Sequence, residues 1–417
     1  MKQQRTSQHW LPLIAFVFAL LMGCDRTPTP SVFVENQPAD RPDPVITSMT
    51  PKNEWLSGIG AITIHGNNFS TVLEENAVFF GGTPATILSA SATELMVETP
   101  NVEGDSLEVK VSVLGALLFS NRVVYKLQSA IQDIGNYGAA GEKIFGIAID
   151  ADENIYLSIQ PRRIDRILAD GTKEDNFIKS TGGVKADNMR FGPGNDLYTL
   201  SKRNTIYRNA SGNTNGSTWL SGLPDKEFDL DFDQNGNIYI AGEGDSLTLV
   251  HPDKSFETVA GYVGAFIKAV RLYNGYVYVA GTAADGQQMV WRNQINAPNQ
   301  LGANQAVFNL TQELGENIEI FTMTFDENGD MYLGITGDDP ILIVHPDGSH
   351  EPLYPGIWLP EGADRVDEAY DIVWGNDIFM YVVRRHVEKD DAGLETIVQN
   401  VLKVNMLKKS APYFGRN

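Results

Sequence analysis

Runs of alternating apolar and polar residues, at the two-residue period of a half-buried β-strand, recur from residue 44 to about residue 406. The clearest lies at 227–242 (EFDLDFDQNGNIYIAG). It reads as a strand, a tight Asn235-Gly236 turn and a return strand, because Asn and Gly tolerate the left-handed backbone such a turn needs. Altered copies stand at 145–157, 188–199, 269–280, 321–333 and 370–382. Aligned on Tyr156, Tyr198, Tyr239, Tyr278, Tyr332 and Tyr381, they recur at intervals of 39 to 54 residues. A third strand is predicted after the hairpins, at 163–168, 205–208, 248–251, 290–293 and 341–345. Fourth strands are predicted at 175–178, 217–220, 256–260 and 306–310.

Six four-stranded units at this period imply a six-bladed β-propeller over residues 128–408, with 409–417 as a tail. The recurring AID…NIY hairpins and the His-Pro-Asp-Gly turn at 345–348 resemble NHL-repeat and related six-bladed propellers. Closing such a ring takes a strand from the opposite end of the propeller, and residues 130–134 are the candidate for the one missing from blade six.

Residues 44–127 have a different texture. Strands are predicted at 61–65, 77–80, 85–89, 94–99, 107–113 and 123–127, with turns such as Gly66-Asn67-Asn68, Gly81-Gly82 and Glu103-Gly104-Asp105 between them. This spacing reads as a β-sandwich. The segments PVITSMTP (44–51), ITIHGNNF (62–69), VFFGGTPA (78–85), VETP (97–100) and Val124-Tyr125 resemble the IPT/TIG family of immunoglobulin-like domains. That resemblance implies a spacer or interaction module on an extracellular protein, with no catalytic residues. The expected fold class is therefore all-β, an immunoglobulin-like sandwich followed by a six-bladed propeller.

The first 23 residues read as a signal peptide. Lys2 and Arg5 precede an apolar run at 11–22, shorter than the roughly 20 helical residues that cross a bilayer. The run ends Leu21-Met22-Gly23-Cys24, which resembles the bacterial lipobox and implies cleavage before Cys24 and lipidation of that residue. Cys24 is the only cysteine, so no intrachain disulfide can form. Residues 24–43, with Pro28, Pro30, Pro38 and Pro42, read as a tether. The expected place is the bacterial cell envelope, lipid-anchored to the outer membrane on its periplasmic or cell-surface side.

The 417 residues are 42% apolar and 10% aromatic, ample for two cores, which excludes global disorder. A net charge of -21 argues against nucleic acid, whose phosphates need clustered Lys and Arg. No nucleophile elbow, zinc-protease, P-loop or dinucleotide motif occurs, and no catalytic residue is assigned.

Candidate chemistry comes from aligning the repeats. Ten residues before each tyrosine stand Gly146, Asn188, Asp229, Lys268, Thr322 and Asp371, and one further back Phe145, Asp187, Phe228, Ile267, Phe321 and Tyr370. Both sets begin the first strand of a blade, beside the central channel. Phe145, Asn188, Phe228, Asp229, Lys268, Phe321, Tyr370 and Asp371 are therefore the candidate ligand-binding set at a channel mouth. The aromatics suit stacking on a sugar ring and the polar groups suit hydrogen bonding. The phenylalanines could equally pack between blades.

Other motifs have plainer readings. Asp231-x-Asp233-x-Asn235-Gly236 copies half of a calcium loop, but Gly242 stands where the bidentate Glu belongs, so a hairpin turn accounts for it. His251 and His345 occupy equivalent outer turns of non-adjacent blades. Glu361, Asp364, Asp367, Glu368 and Asp371 form an acidic approach to blade six. Trp219, Trp291 and Trp358 are candidate sugar platforms, whereas Trp374 is expected in the core. Six-bladed lactonases resemble this architecture and bind metal through channel Glu, Asn and Asp residues. Here Gly146 replaces the first, leaving Asn188, Asp229 and Asp371. The favoured reading is an anchored extracytoplasmic binding protein whose propeller face takes glycans. Its rivals are a metal-dependent lactonase or lyase and a protein-binding envelope scaffold. No cofactor is called for, and calcium alone is left open.

Overall fold

The computed structural model describes residues 41–138, 141–181, 185–358, 366–389, 393 and 395–416. Cys24, the expected signal peptide and nearly all of the tether lie outside them, as do Glu361 and Asp364. The chain divides into two compact units, one ending at Leu127 and one comprising Leu56–Ile59 and the chain from Gln128 onward.

The first unit is a sandwich. One sheet orders Val45–Thr50, Ala61–Asn67, Glu94–Glu98 and Ile87–Ala90. The other orders Glu54–Leu56, Val123–Gln128, Gly104–Val113, Asn76–Phe80 and Thr83–Ala85. Period-two alternation sends Ile62, Ile64, Phe80, Leu95, Val97, Val109 and Val111 inward, all fully buried. Gly66 is required where it stands. A Cβ there would lie 2.1 Å from the Val45 carbonyl and 2.4 Å from the Phe69 ring.

The second unit is the six-bladed ring. Its inner strands are Ile144–Ile149, Asn188–Gly192, Glu227–Phe232, Phe266–Tyr273, Ile320–Phe325 and Asp367–Trp374. Each packs beside the next, and the sixth returns to the first. Inner and second strands are buried on both faces because a blade is covered by one neighbour on each side. Ile155–Ile159 and Ile238–Gly242, for example, are buried throughout. The outer strands, such as Lys173–Ile178, are mostly exposed.

The tyrosines that revealed the repeat are themselves inter-blade contacts. The ring of Tyr156 meets Phe191 of the next inner strand at 4.9 Å, Tyr198 meets Phe232 at 5.1 Å, Tyr278 meets Phe325 at 4.7 Å, and Tyr332 meets Trp374 at 5.1 Å. Such tilted and edge-on pairs favour close packing beyond their buried area.

Ring closure follows the expected route. Ile131–Ile134 pairs antiparallel with Glu395–Asn405, with Ile131 opposite Val404 and Ile134 opposite Val401. Blade six thus takes its outermost strand from the chain that precedes blade one.

Candidate functional site

A backbone irregularity builds the channel mouth. In five blades the pairing between inner and second strand skips one residue at the same level: Phe145, Phe228, Lys268, Phe321 and Tyr370. A bulge sets two residues opposite one and re-aims the side chains around it. In blade two the Asp187 N–H donates to the Leu200 carbonyl at 2.7 Å while Asn188 already pairs with Leu200, which places Asp187 at the same level. Three levels of residues then descend the inner strands. The first is Phe145, Asp187, Phe228, Lys268, Phe321 and Tyr370. The second is Gly146, Asn188, Asp229, Ala269, Thr322 and Asp371, and the third is Ala148, Arg190, Asp231, Arg271, Thr324 and Val373.

The first two levels enclose a cavity of about 320 Å³. Asn188, Phe228, Asp229, Lys268, Phe321, Tyr370 and Asp371 all line it, which are seven of the eight residues expected at a mouth. Phe145 is not among the lining residues; its ring lies 4.3 Å from the Lys185 ammonium. Gly146 has a packing reason. A Cβ there would stand 3.3 Å from the Ala186 carbonyl, Asp187 and Asn188 Cα, so blades one and two approach closely at that level. Blade four departs from the tyrosine count. Its Asn274-Gly275 turn makes the hairpin one residue shorter, so Lys268 corresponds to Phe228, and Ala269 corresponds to Asp229.

Further lining residues had no place in the repeat alignment: Lys202, Phe266, Glu319 and Arg385. They convert the mouth into alternating rings and cations. Lys202 lies 5.1 Å from the Phe228 ring, Lys268 lies 5.8 Å from Phe266, and Arg385 lies 4.6 Å from Tyr370 and 5.8 Å from Phe321. Phe228 and Phe266 meet edge to face at 5.1 Å. Lys268 pairs with Glu319 and Arg385 with Glu368. No carboxylate among the described residues pairs with Lys202, whose backbone sits in the left-handed region at φ 53°. Buried beside it, Asn188 Oδ1 and Asp187 Oδ2 have no hydrogen-bond partner among the described residues.

The floor is held by carboxylates that join blades. Asp229 Oδ2 accepts from the Val270 N–H of blade four at 3.0 Å and from Arg271. Its Oδ1 accepts from Leu230 N–H at 2.9 Å, with Arg190 at 3.5 Å. Asp231 accepts from Leu272 N–H of blade four at 2.7 Å, and Asp371 from Ile147 N–H of blade one at 3.3 Å. Burial pushes Asp229 up to about 7 and Asp371 up to about 6, with the Arg190 charge pulling both back.

The opposite end of the channel is covered by the C-terminal tail. Ser410, Ala411, Pro412 and Tyr413 bound a void of about 50 Å³ together with Arg190, Asp231 and Arg271 of the third level. Tyr413 donates to the Phe191 carbonyl at 2.6 Å, Ala411 N–H to the Phe325 carbonyl at 3.0 Å, and Ser410 to the Gly375 carbonyl at 2.9 Å.

The remaining motifs settle into structural roles. Asp233 Oδ1 accepts from the N–H groups of Asn235 and Asn237, and Asp150 and Asp326 repeat this turn, while Asp231 points into the ring. His251 bonds Asn237 at 3.1 Å and His345 bonds Asp330 at 2.8 Å, each tying an outer turn to its own hairpin. Among the described residues no group of three or more His, Cys, Asp or Glu is placed to hold a metal ion. Trp358 is no platform: it is 2% exposed and its indole N–H donates to Leu353. Trp219 meets Tyr198 edge-on at 5.3 Å, Trp291 tilts against Tyr262 at 5.5 Å, and Trp374 is core as expected. Asp367 is buried against Arg384 and His386. No helix among the described residues is long and apolar enough to cross a membrane.

The family profile of the IPT/TIG domain matches residues 44–126. No curated protein matches the chain. Among solved structures, an auxiliary nutrient binding protein from Bacteroides ovatus is similar over 87% of this chain and 97% of its own, at 14% identity and a TM-score of 0.48. A provisionally named phosphatase from Bacteroides thetaiotaomicron covers 87% of this chain and 97% of its own, at 12% identity and TM-score 0.51. A luciferin-regenerating enzyme covers 68% and 97%, at 12% identity and TM-score 0.50. At such identities the likeness is one of fold.

Proposed function

We propose that the chain is an extracytoplasmic binding protein whose propeller mouth takes a carbohydrate, with the sandwich as spacer and Cys24 as its lipid anchor in the bacterial envelope. The carrying observation is the mouth itself. Four aromatic rings (Phe228, Phe266, Phe321 and Tyr370) alternate with Lys202, Lys268 and Arg385 around a cavity of about 320 Å³. A sugar offers C–H faces to such rings and hydroxyls to the charges between them, and the volume falls at the lower end of small-molecule sites. Lys202, with which no carboxylate among the described residues pairs, is the group free to make the first polar contact.

A metal-assisted reaction at this mouth would draw on Asn188, Asp229 and Asp371. The two oxygens of Asp229 already face two backbone donors and two guanidinium groups, which leaves the acid little to offer a metal. The domain plan behind the proposal is 1–23 signal peptide, 24–43 tether, 44–127 sandwich, 128–408 propeller and 409–417 tail.

The test is calorimetric titration of the chain from residue 44 onward against neutral and acidic oligosaccharides, repeated with Phe228→Ala. Binding that this substitution weakens at least tenfold supports the proposal. A blank panel, or binding indifferent to Phe228, removes it.

A further inference from the structure

The sandwich carries an apolar tip that its own core does not use. Leu114, Leu117, Leu118 and Phe119, in the loop after Gly104–Val113, are 53%, 77%, 67% and 49% exposed, and nearby Val72 and Leu73 are 48% and 37% exposed. The loop is held in place: Leu114 N–H donates to the Glu75 carbonyl at 2.8 Å, Ala116 N–H to Val113 at 3.0 Å, and Ser120 N–H to Val111 at 2.8 Å. Clustered exposure of this kind marks a surface that something covers.

The place where the chain enters says what covers it. Asp43 Oδ1 accepts from the Leu118 N–H at 2.9 Å, and Arg41 pairs with Glu75 at 2.6 Å, so the first described residues are fastened to the apolar tip itself. Only 16 residues lie between Cys24 and Arg41. Even fully extended they reach no more than about 60 Å. We infer that this tip is a second membrane contact, with Leu117, Leu118 and Phe119 seated at the headgroup–acyl boundary of the bilayer that holds the lipid on Cys24. The inference rests on the lipid anchor proposed above.

A tethered tip meets the bilayer at high effective concentration, so a shallow contact of three apolar side chains suffices where a free protein would dissociate. Lys110, 4.7 Å from the Phe119 ring, is placed for lipid phosphate. Asp43, Glu74 and Glu75 at the same end keep the contact shallow, since their charges stay in water.

The test uses the full lipidated chain in vesicles of phosphatidylethanolamine and phosphatidylglycerol. Because Cys24 is the only native cysteine and its sulfur is acylated, Leu117→Cys gives a single thiol for a polarity-sensitive fluorophore. Asp105→Cys, at the opposite end of the ten-residue strand Gly104–Val113 and so about 30 Å away, is the control. The expected result is a blue-shifted, brighter emission at position 117 on vesicles and none at 105. Co-flotation with both labels in water overturns the inference and leaves the anchor standing. A chain that does not float removes both. A blue shift at 117 in the Cys24→Ser chain without vesicles, rising with protein concentration, assigns the tip to a second copy and also overturns the inference.

Discussion

Replacing Asp229 with alanine tests whether the channel acids are staples between blades. The carboxylate has two guanidinium groups within 3.5 Å and accepts the Val270 N–H of the next blade, and all three charged residues are buried. Removing it strands Arg190 and Arg271 together with a backbone donor. Breaking a buried ion pair from one side costs about 3–5 kcal/mol, and an orphaned donor adds about 1–3 kcal/mol. Asp231 and Asp371 remain close enough to offset part of the exposed positive charge, so a net loss of about 3–5 kcal/mol is expected. For a unit of this size that lowers Tm by about 6–15 °C. Scanning calorimetry of Asp229→Ala, Arg271→Ala and the double variant gives the coupling directly. The double variant should lose less than the two singles combined, by about 1–3 kcal/mol. A Tm unchanged within a degree, with oligosaccharide binding abolished, would instead make Asp229 a ligand-facing group and refute the staple.

Glu227, buried with Oε1 unpartnered, is pushed up to about 8 by burial and then by Asp225. An acid whose folded pKa is raised stabilises the fold below its ordinary range near 4.5, and that contribution is lost as pH climbs to about 8. Glu227→Gln should match the native stability near pH 4.5, exceed it increasingly towards pH 8 by about 4–5 kcal/mol, and hold a constant lead above that; a gap independent of pH counts against the burial argument. Lys202→Ala should weaken oligosaccharide binding about tenfold with Tm held within a degree or two, because no carboxylate among the described residues depends on it. Truncation after Met406 removes the Tyr413, Ala411 and Ser410 bonds and the Lys408 pairs with Asp326 and Asp330; a fall in the propeller Tm of about 5 °C or more is expected, and none would mean the tail only rests on the ring.

The repeat was legible because its marker residue does physical work. The tyrosine of a blade packs on an aromatic of the next, so it holds its place while loops vary. Counting back from it found seven of the cavity residues, since inner strands start at a nearly fixed distance from it. The count slipped at Lys268, where a turn one residue shorter left no mark in composition. The bulge was invisible for a related reason: Phe, Lys and Tyr all occupy it, and it is defined by hydrogen bonding rather than residue type. Lys202 follows a second strand and Arg385 lies within one, so no alignment of first strands could reach them. Asp229 and Asp371 were found as mouth residues, but their bonds to neighbouring blades needed coordinates.

The strand pairing that joins Ile131–Ile134 to Glu395–Asn405 fixes when this protein can finish folding. The partner that completes the ring is synthesised after every other blade strand, so until then the nascent propeller remains an open arc with an unpaired edge at each end. A chain delivered across a membrane from its amino end would be held in the same way. It stays threadable until residues near 404 have passed, and locks only on arrival.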